Sequence, residues 1–161
     1  MTDNDAAIIA LHRYFIWADE MKRSFEKTIA GKAAAPAWGS EESIRANMYM
    51  CVWYGFLRAV VEGWGELKLA DPTIDSVLSM KSGRTTKVSD AAGVEHDVPE
   101  TYSDMLRKVR NAVFHFQPEY VDDRLVKFME KKESVAWVRL LHGNLSRWFM
   151  AWLDSRHSHR Q

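Results

Sequence analysis

Apolar residues recur at steps of three and four along most of this chain, and that spacing, one face of an α-helix, limits the possible folds more than any other feature. From Asp3 to about Ala30, the residues Ile8, Leu11, Phe15, Ala18, Met21, Phe25 and Ile29 share one stripe. Thr2 and Asp3 can accept hydrogen bonds from the free first-turn amides, and Gly31 suits the end of such a helix. Ser40, followed by Glu41 and Glu42, caps a second helix reaching about Leu69, with acidic charge at its positive end. Its stripe is Ile44, Met48, Val52, Phe56, Val60 and Trp64, and its apolar breadth between Met48 and Leu57 predicts burial against several partners. Asp71-Pro72 starts a short third helix over 72–80, a cap followed by proline at the first helical position.

Residues 81–100 have two glycines, few large apolar side chains and no helical period, so they read as an exposed loop insertion in which KVSD and VEHDV can pair as a small hairpin. Thr101 with Asp104 starts the next helix in the manner of a capping box, and Pro118 ends it. A short helix follows over 121–131. A last long one runs from about Glu133 to His157, with Trp137, Val138, Leu141, Leu145, Trp148, Phe149 and Trp152 at helical spacing. Gly143, inside that pattern, is expected to admit the close approach of another helix. The order predicts an all-α, up-and-down bundle of four main helices plus one or two short ones. A length of 161 residues fits one domain spanning 1–161.

Charge narrows the function. Twenty-two Lys and Arg stand against 22 Asp and Glu, so no basic excess supports broad coating by nucleic acid, and any polyanion must be met at a local site. The lone Cys51 excludes an internal disulfide and a multi-thiolate metal site within one chain. It is expected to pack as a small apolar residue. The N-terminal stretch carries acids where an export signal would carry bases. The longest apolar run, Met48 to Leu57, has 10 residues and is closed by Arg58, against about 20 for a membrane crossing. No membrane association and a cytoplasmic setting are therefore expected.

Histidines are the remaining reagents. His12 and His142 sit on long helices and read as packing or surface residues; His96 lies in the acidic stretch VEHD; His157 and His159 form an HxH pair in the tail with no further ligand in sequence. No metal site follows from them, since a closed zinc site needs four convergent ligands. Gly-rich phosphate loops, serine elbows and HExxH or ExxH motifs are absent from the sequence.

One segment concentrates chemistry. Between Asp104 and His115, Arg107, Lys108 and Arg110 face a single acid, and Asn111 and His115 follow. Asn111 and His115, four apart, share a helix face, whereas Arg110 and His115, five apart, differ by about 140° on an ideal helix. Either the helix loosens before His115, or a second copy of the chain completes the site. His115 near a helix C-terminus favours the imidazolium, which suits an acid in phosphoryl transfer.

The run Arg110-Asn111-Ala112-Val113-Phe114-His115 resembles the Arg-x(4 to 6)-His signature of the HEPN superfamily, the higher eukaryotes and prokaryotes nucleotide-binding domains, in the form with a polar residue directly after the arginine. The resemblance extends to context: long amphipathic helices before the motif, a variable loop, and a further long helix after it. It implies an all-α HEPN-like bundle and a metal-independent, cofactor-free endoribonuclease acting as a homodimer, with two motifs facing each other across a cleft. Arg110 would bind the scissile phosphate, His115 would serve as general acid or base around attack by the ribose 2′-hydroxyl, and Asn111 would orient either partner. Arg107 and Lys108 would add RNA contacts, or simply form a solvated basic helix face. Such proteins include toxins and defence effectors, which implies an antitoxin or other regulatory protein as a partner. Members silenced by AMP transfer carry a tyrosine two residues after the motif histidine. Here that position is Gln117, and Tyr120 does not satisfy the pattern. Other members bind nucleotides or proteins without turnover, which is the alternative for this chain. A third reading is a structural bundle assembled through the Trp-rich last helix.

Overall fold

The computed structural model describes residues 3–30, 39–114, 128 and 132–158. Five helices and one two-stranded sheet follow in the order α1 (Asp3–Ile29), α2 (Glu41–Glu66), α3 (Pro72–Ser79), β1 (Lys81–Ser89), β2 (Glu95–Thr101), α4 (Tyr102–Phe114) and α5 (Lys132–Ser158). The all-α class holds apart from the small sheet. Thr2, Gly31, Pro118 and His159 lie outside the described residues, as does the short helix expected over 121–131 except for Phe128, which is helical and buried.

The helix starts follow local chemistry. Ser40 accepts from the Ser43 amide at 3.2 Å. Asp71 accepts from the amides of Thr73 and Ile74 at 2.9 and 3.2 Å. The hydrogen bond from Thr73 holds the Asp71 carboxyl below the usual range, and those amide bonds add to it. At α4 the box closes both ways: Asp104 accepts from the Thr101 amide at 3.0 Å, and the Asp104 amide donates to the Thr101 hydroxyl at 3.2 Å. α2 stops three residues short of Leu69. Lys68 turns into the left-handed region at φ 51°, and the Leu67 and Leu69 amides bond back to Gly63 and Trp64.

α1 runs against α2, as the contacts of Leu11 with Gly63, Tyr14 and Trp17 with Phe56, and Phe25 with Trp53 establish. It runs against α5 as well: Arg156 pairs with Asp5, His12 and Phe15 meet Phe149, and Asp19 meets His142. α4 packs on α2, and α3 bridges α4 and α5. The core is built from Trp53, Tyr54, Leu57 and Val60 of α2, Tyr102, Leu106 and Val109 of α4, and Val138, Leu141, Leu145 and Phe149 of α5. Full burial contributes about 1.5–3 kcal/mol for each large apolar side chain, so these residues dominate the folding free energy.

Three expectations change. The stripe expected on α2 is rotated: the buried face is Ala46, Met50, Trp53, Tyr54, Leu57, Val60, Val61 and Trp64, while Ile44 and Met48 are exposed. The whole helix is apolar enough for either phase, and the aromatic residues decide which face is buried. Among the described residues no helix comes close to Gly143, because a Cβ built there would meet none of their atoms within 4 Å.

Residues 81–100 form an antiparallel hairpin rather than a loop. Thr85 pairs with Pro99, Thr86 with Val98, Val88 with His96 and Ser89 with Glu95, which contains the KVSD and VEHDV pairing and extends it. The register is irregular between Lys81 and Thr85, where Gly83 takes φ 76°. Few apolar side chains are needed because polar contacts hold it. Asp90 accepts from the amides of Ala92 and Val94, both at 2.9 Å, and binds His96 at 2.9 Å, while Lys87 pairs with Glu95 at 3.0 Å. Pro99 is tolerated because a two-stranded sheet consists of edges alone.

Candidate functional site

α4 carries the motif segment on a firmly anchored helix. Tyr102, Met105, Leu106, Val109 and Ala112 are buried, which fixes the helix and turns Ser103, Arg107, Arg110, Asn111 and Phe114 outward. Arg110 Nη1 donates to Asn111 Oδ1 at 2.9 Å, and Arg110 Nη2 lies 3.6 Å from Glu62 Oε2 on α2. The other oxygen of the same carboxylate, Glu62 Oε1, accepts from Arg58 Nε at 3.2 Å. Arg58 Nη1 then donates to the Ser103 hydroxyl at 3.1 Å. Two guanidiniums therefore flank one carboxylate, leaving a local charge of one cation. The Arg58 side chain is 14% exposed and that of Arg110 38%, so Arg110 presents unspent N–H groups to solvent while Arg58 spans the two helices. This suits binding of an oxyanion, since guanidinium offers a rigid fork that matches phosphate.

Of the residues singled out in the sequence, the fold brings Arg110 and Asn111 together. His115 lies outside the described residues. Arg107 and Lys108 are engaged elsewhere. Arg107 meets the capping Asp104 at 3.3 Å. Lys108 donates to Glu100 at 2.6 Å at the root of the hairpin, where Ser82 binds the other Glu100 oxygen at 2.7 Å. The Glu100 side chain is only 6% exposed. Burial pushes its carboxyl up, but hydrogen bonds from Lys108 and Ser82, with the Lys108 charge, outweigh that and hold it below the usual range. Lys108 thus fastens the hairpin to α4.

Arg58, Glu62 and Ser103 are the residues sequence reading missed. A signal existed: Arg58 and Glu62, four apart, are the charges that follow the most apolar stretch of α2, and an i,i+4 ion pair there marks a face that is not core.

A second polar cluster joins α1, α2 and α5. Trp53 Nε1 donates to His142 Nδ1 at 3.2 Å, and His142 Nε2 lies 3.0 Å from Asp19 Oδ1. Indole nitrogen only donates, so Nδ1 is the acceptor and the imidazole is neutral with its proton on Nε2, directed at Asp19. Burial lowers the His142 pKa, opposed by the Asp19 carboxylate. Both ring nitrogens are committed, which leaves none to serve as a base for Ser146 in the adjoining cleft of about 550 Å³. His12 packs on Phe149, with ring centroids 4.9 Å apart, and is likewise shifted down by burial. Cys51 is half-buried at the core edge, and burial pushes its thiol up to about 11.

Among the described residues, no three of His, Cys, Asp and Glu converge as a metal site, and no helix is long and apolar enough to cross a membrane. No family model, curated protein or solved structure matches the chain.

Proposed function

We propose that this protein is a metal-independent endoribonuclease of HEPN type, working as a homodimer whose two motif segments share one cleft. The observation that carries the reading is the state of Arg110: a partly exposed guanidinium, held by Asn111 on its own helix and by Glu62 on α2, with unspent donors and a second arginine beside it. A preorganised cation of this kind stabilises charge that develops on a phosphoryl group. In the proposed reaction the ribose 2′-oxygen attacks phosphorus, the bond to the 5′-oxygen breaks, and the 2′-proton leaves as the 5′-oxygen gains one. The products are a 2′,3′-cyclic phosphate and a 5′-hydroxyl. The two copies of His115 in the cleft supply the base and the acid. A role as a toxin or defence effector, restrained by an antitoxin or other regulatory protein, belongs to the same reading.

The test is RNA cleavage by the full chain in EDTA, with the termini analysed. Cyclic phosphate is expected from the wild-type protein, and Arg110→Ala or His115→Ala should lower the rate about 10²-fold or more with the fold retained. Undiminished cutting by both variants would overturn the assignment.

A second reading, a HEPN-like module that binds nucleotide or protein without turnover, is favoured by a different observation. Arg107 and Lys108 are both paired with acids on the motif helix or at its start, which reduces the positive field around Arg110. Tight binding of RNA without product at high protein concentration would mark this alternative.

A further inference from the structure

Phe114, four residues after Arg110 on α4, is 53% exposed, and it has a fitted seat. A Cβ built at Gly55 of α2 would lie 2.6 Å from Phe114 Cζ and closer still to Cε2. The ring thus lies directly against the α2 backbone, in a space that a side chain at position 55 would enter, so that any other residue there would displace the ring. Glycine inside a helix costs about 1 kcal/mol relative to alanine, and here that cost secures the position of a ring whose other side faces solvent. The remaining exposed aromatic among the described residues, Trp17, has no such seat. It packs on Phe56 with Arg13 over its own ring. Ordinary exposed apolar residues need no explanation, but an exposed ring held by a dedicated glycine does.

Position adds the second half of the argument. Residues four apart on a helix are neighbours, with Cβ atoms about 5–6 Å apart, so Phe114 and Arg110 share one face of α4, and α2 meets the first through Gly55 and the second through Glu62. A cation with free donors on the same helix face as an exposed aromatic ring offers the two contacts that one nucleotide presents: a phosphate for the guanidinium and a base for the ring. Single-stranded RNA is bound in this way, by backbone charge together with base stacking on aromatic side chains.

We propose that Phe114, seated on Gly55, is a nucleobase-stacking platform that binds an unpaired base of the RNA whose phosphate engages Arg110. This rests on the ribonuclease reading and adds to it a preference for unpaired nucleotides at the site, because a base inside a duplex has no free face to offer.

The test uses the full-length protein and a short single-stranded 2′-O-methyl oligoribonucleotide, which binds without being cut. It carries one 2-aminopurine placed at successive positions, and a matched probe carries an abasic residue. Binding should quench 2-aminopurine at one position. Phe114→Leu keeps an apolar side chain on Gly55 but removes the ring, and should weaken binding about tenfold. Phe114→Trp should restore the affinity. The abasic probe should bind the wild-type and Phe114→Leu proteins equally. Equal affinity of Phe114→Leu and wild type for the intact probe overturns the proposal, even if RNA cleavage stands. Conversion of a dimer to a monomer by Phe114→Leu at tens of micromolar, seen by sedimentation, overturns it in favour of a contact between copies. If wild-type protein neither binds the probe nor cleaves RNA, the ribonuclease reading falls, and this inference falls with it.

Discussion

Two polar clusters draw on α2, about two turns apart by sequence, and they differ in what they leave unspent. Around His142, each ring nitrogen has its partner, Trp53 on one side and Asp19 on the other, and Asp19 also holds Arg23 at 2.5 Å. The imidazole is buried and serves to bind three helices together. Around Arg110, one carboxylate is shared by two guanidiniums, donors remain, and the group reaches solvent. Hydrogen-bond satisfaction, rather than the reactivity of the residue type, separates the two. A histidine is the better general base on paper, yet here its geometry makes it structural, while the arginine retains the capacity to take a ligand.

Substitution of each centre should pull stability and activity apart. His142→Ala removes a buried ring packed on Phe15 and Trp53 and leaves the Trp53 indole N–H without its acceptor. A loss of about 3 kcal/mol is expected, from the cavity and the unpaired buried donor together. Arg110→Ala removes a partly exposed ion pair and should cost less than about 1 kcal/mol. Urea denaturation of the two variants checks this, and similar losses would erase the distinction between a structural and a functional cluster.

Acid should act on the first cluster. His142 faces Asp19, Lys22 and Glu26 of α1, Trp53 of α2 and Arg139 of its own helix, and burial sets its pKa below the ordinary 6.5. Burial shifts His12 the same way. The unfolded chain thus takes up protons that the folded one refuses. The stability due to the neutral rings is complete above pH 6.5 and is lost as pH falls from there through the folded values. Denaturation midpoints measured from pH 7.5 down to 5 should fall, and His142→Gln, which can still accept and donate but does not titrate, should flatten part of that slope relative to wild type at each pH. A parallel slope would mean that His142 is not the titrating group.

How much of this was legible in the sequence depended on whether local pattern or tertiary partner decided the outcome. Caps at Ser40, Asp71 and Thr101 were readable because each uses neighbours within three residues. The core face of α2 was not, since an apolar helix supports more than one stripe and only the packing of Trp53 and Tyr54 selects one. The hairpin was half legible: its strands lack apolar alternation, and the ties that hold it, Glu100 with Lys108 and Ser82, join residues 8 and 18 positions apart. Those ties, invisible to local spacing, also explain why Lys108 reads from sequence as an RNA contact or part of a solvated basic face rather than as the hairpin's anchor. At the site, the motif gave Arg110 and Asn111, whereas Glu62 and Arg58 came from another helix, and no spacing within α4 points to them. The ribonuclease expectation itself rests on the resemblance together with the geometry of Arg110.

Gly143 gives the finest division between structure and function. It lies one residue after His142, in the interior of α5, and lines the cleft with Asp19, Lys22, Glu26, Arg139 and Ser146. Since a Cβ there meets nothing within 4 Å among the described residues, their packing does not require glycine, and the backbone is helical. Alanine should therefore stabilise the protein, by up to about 1 kcal/mol, through better helix propensity and a less flexible unfolded chain. A raised urea midpoint in Gly143→Ala, with the proposed RNA cleavage unchanged, places the cleft beside His142 with the structural cluster. A fall in stability would mean that the space over Gly143 is closed in solution by another part of the protein.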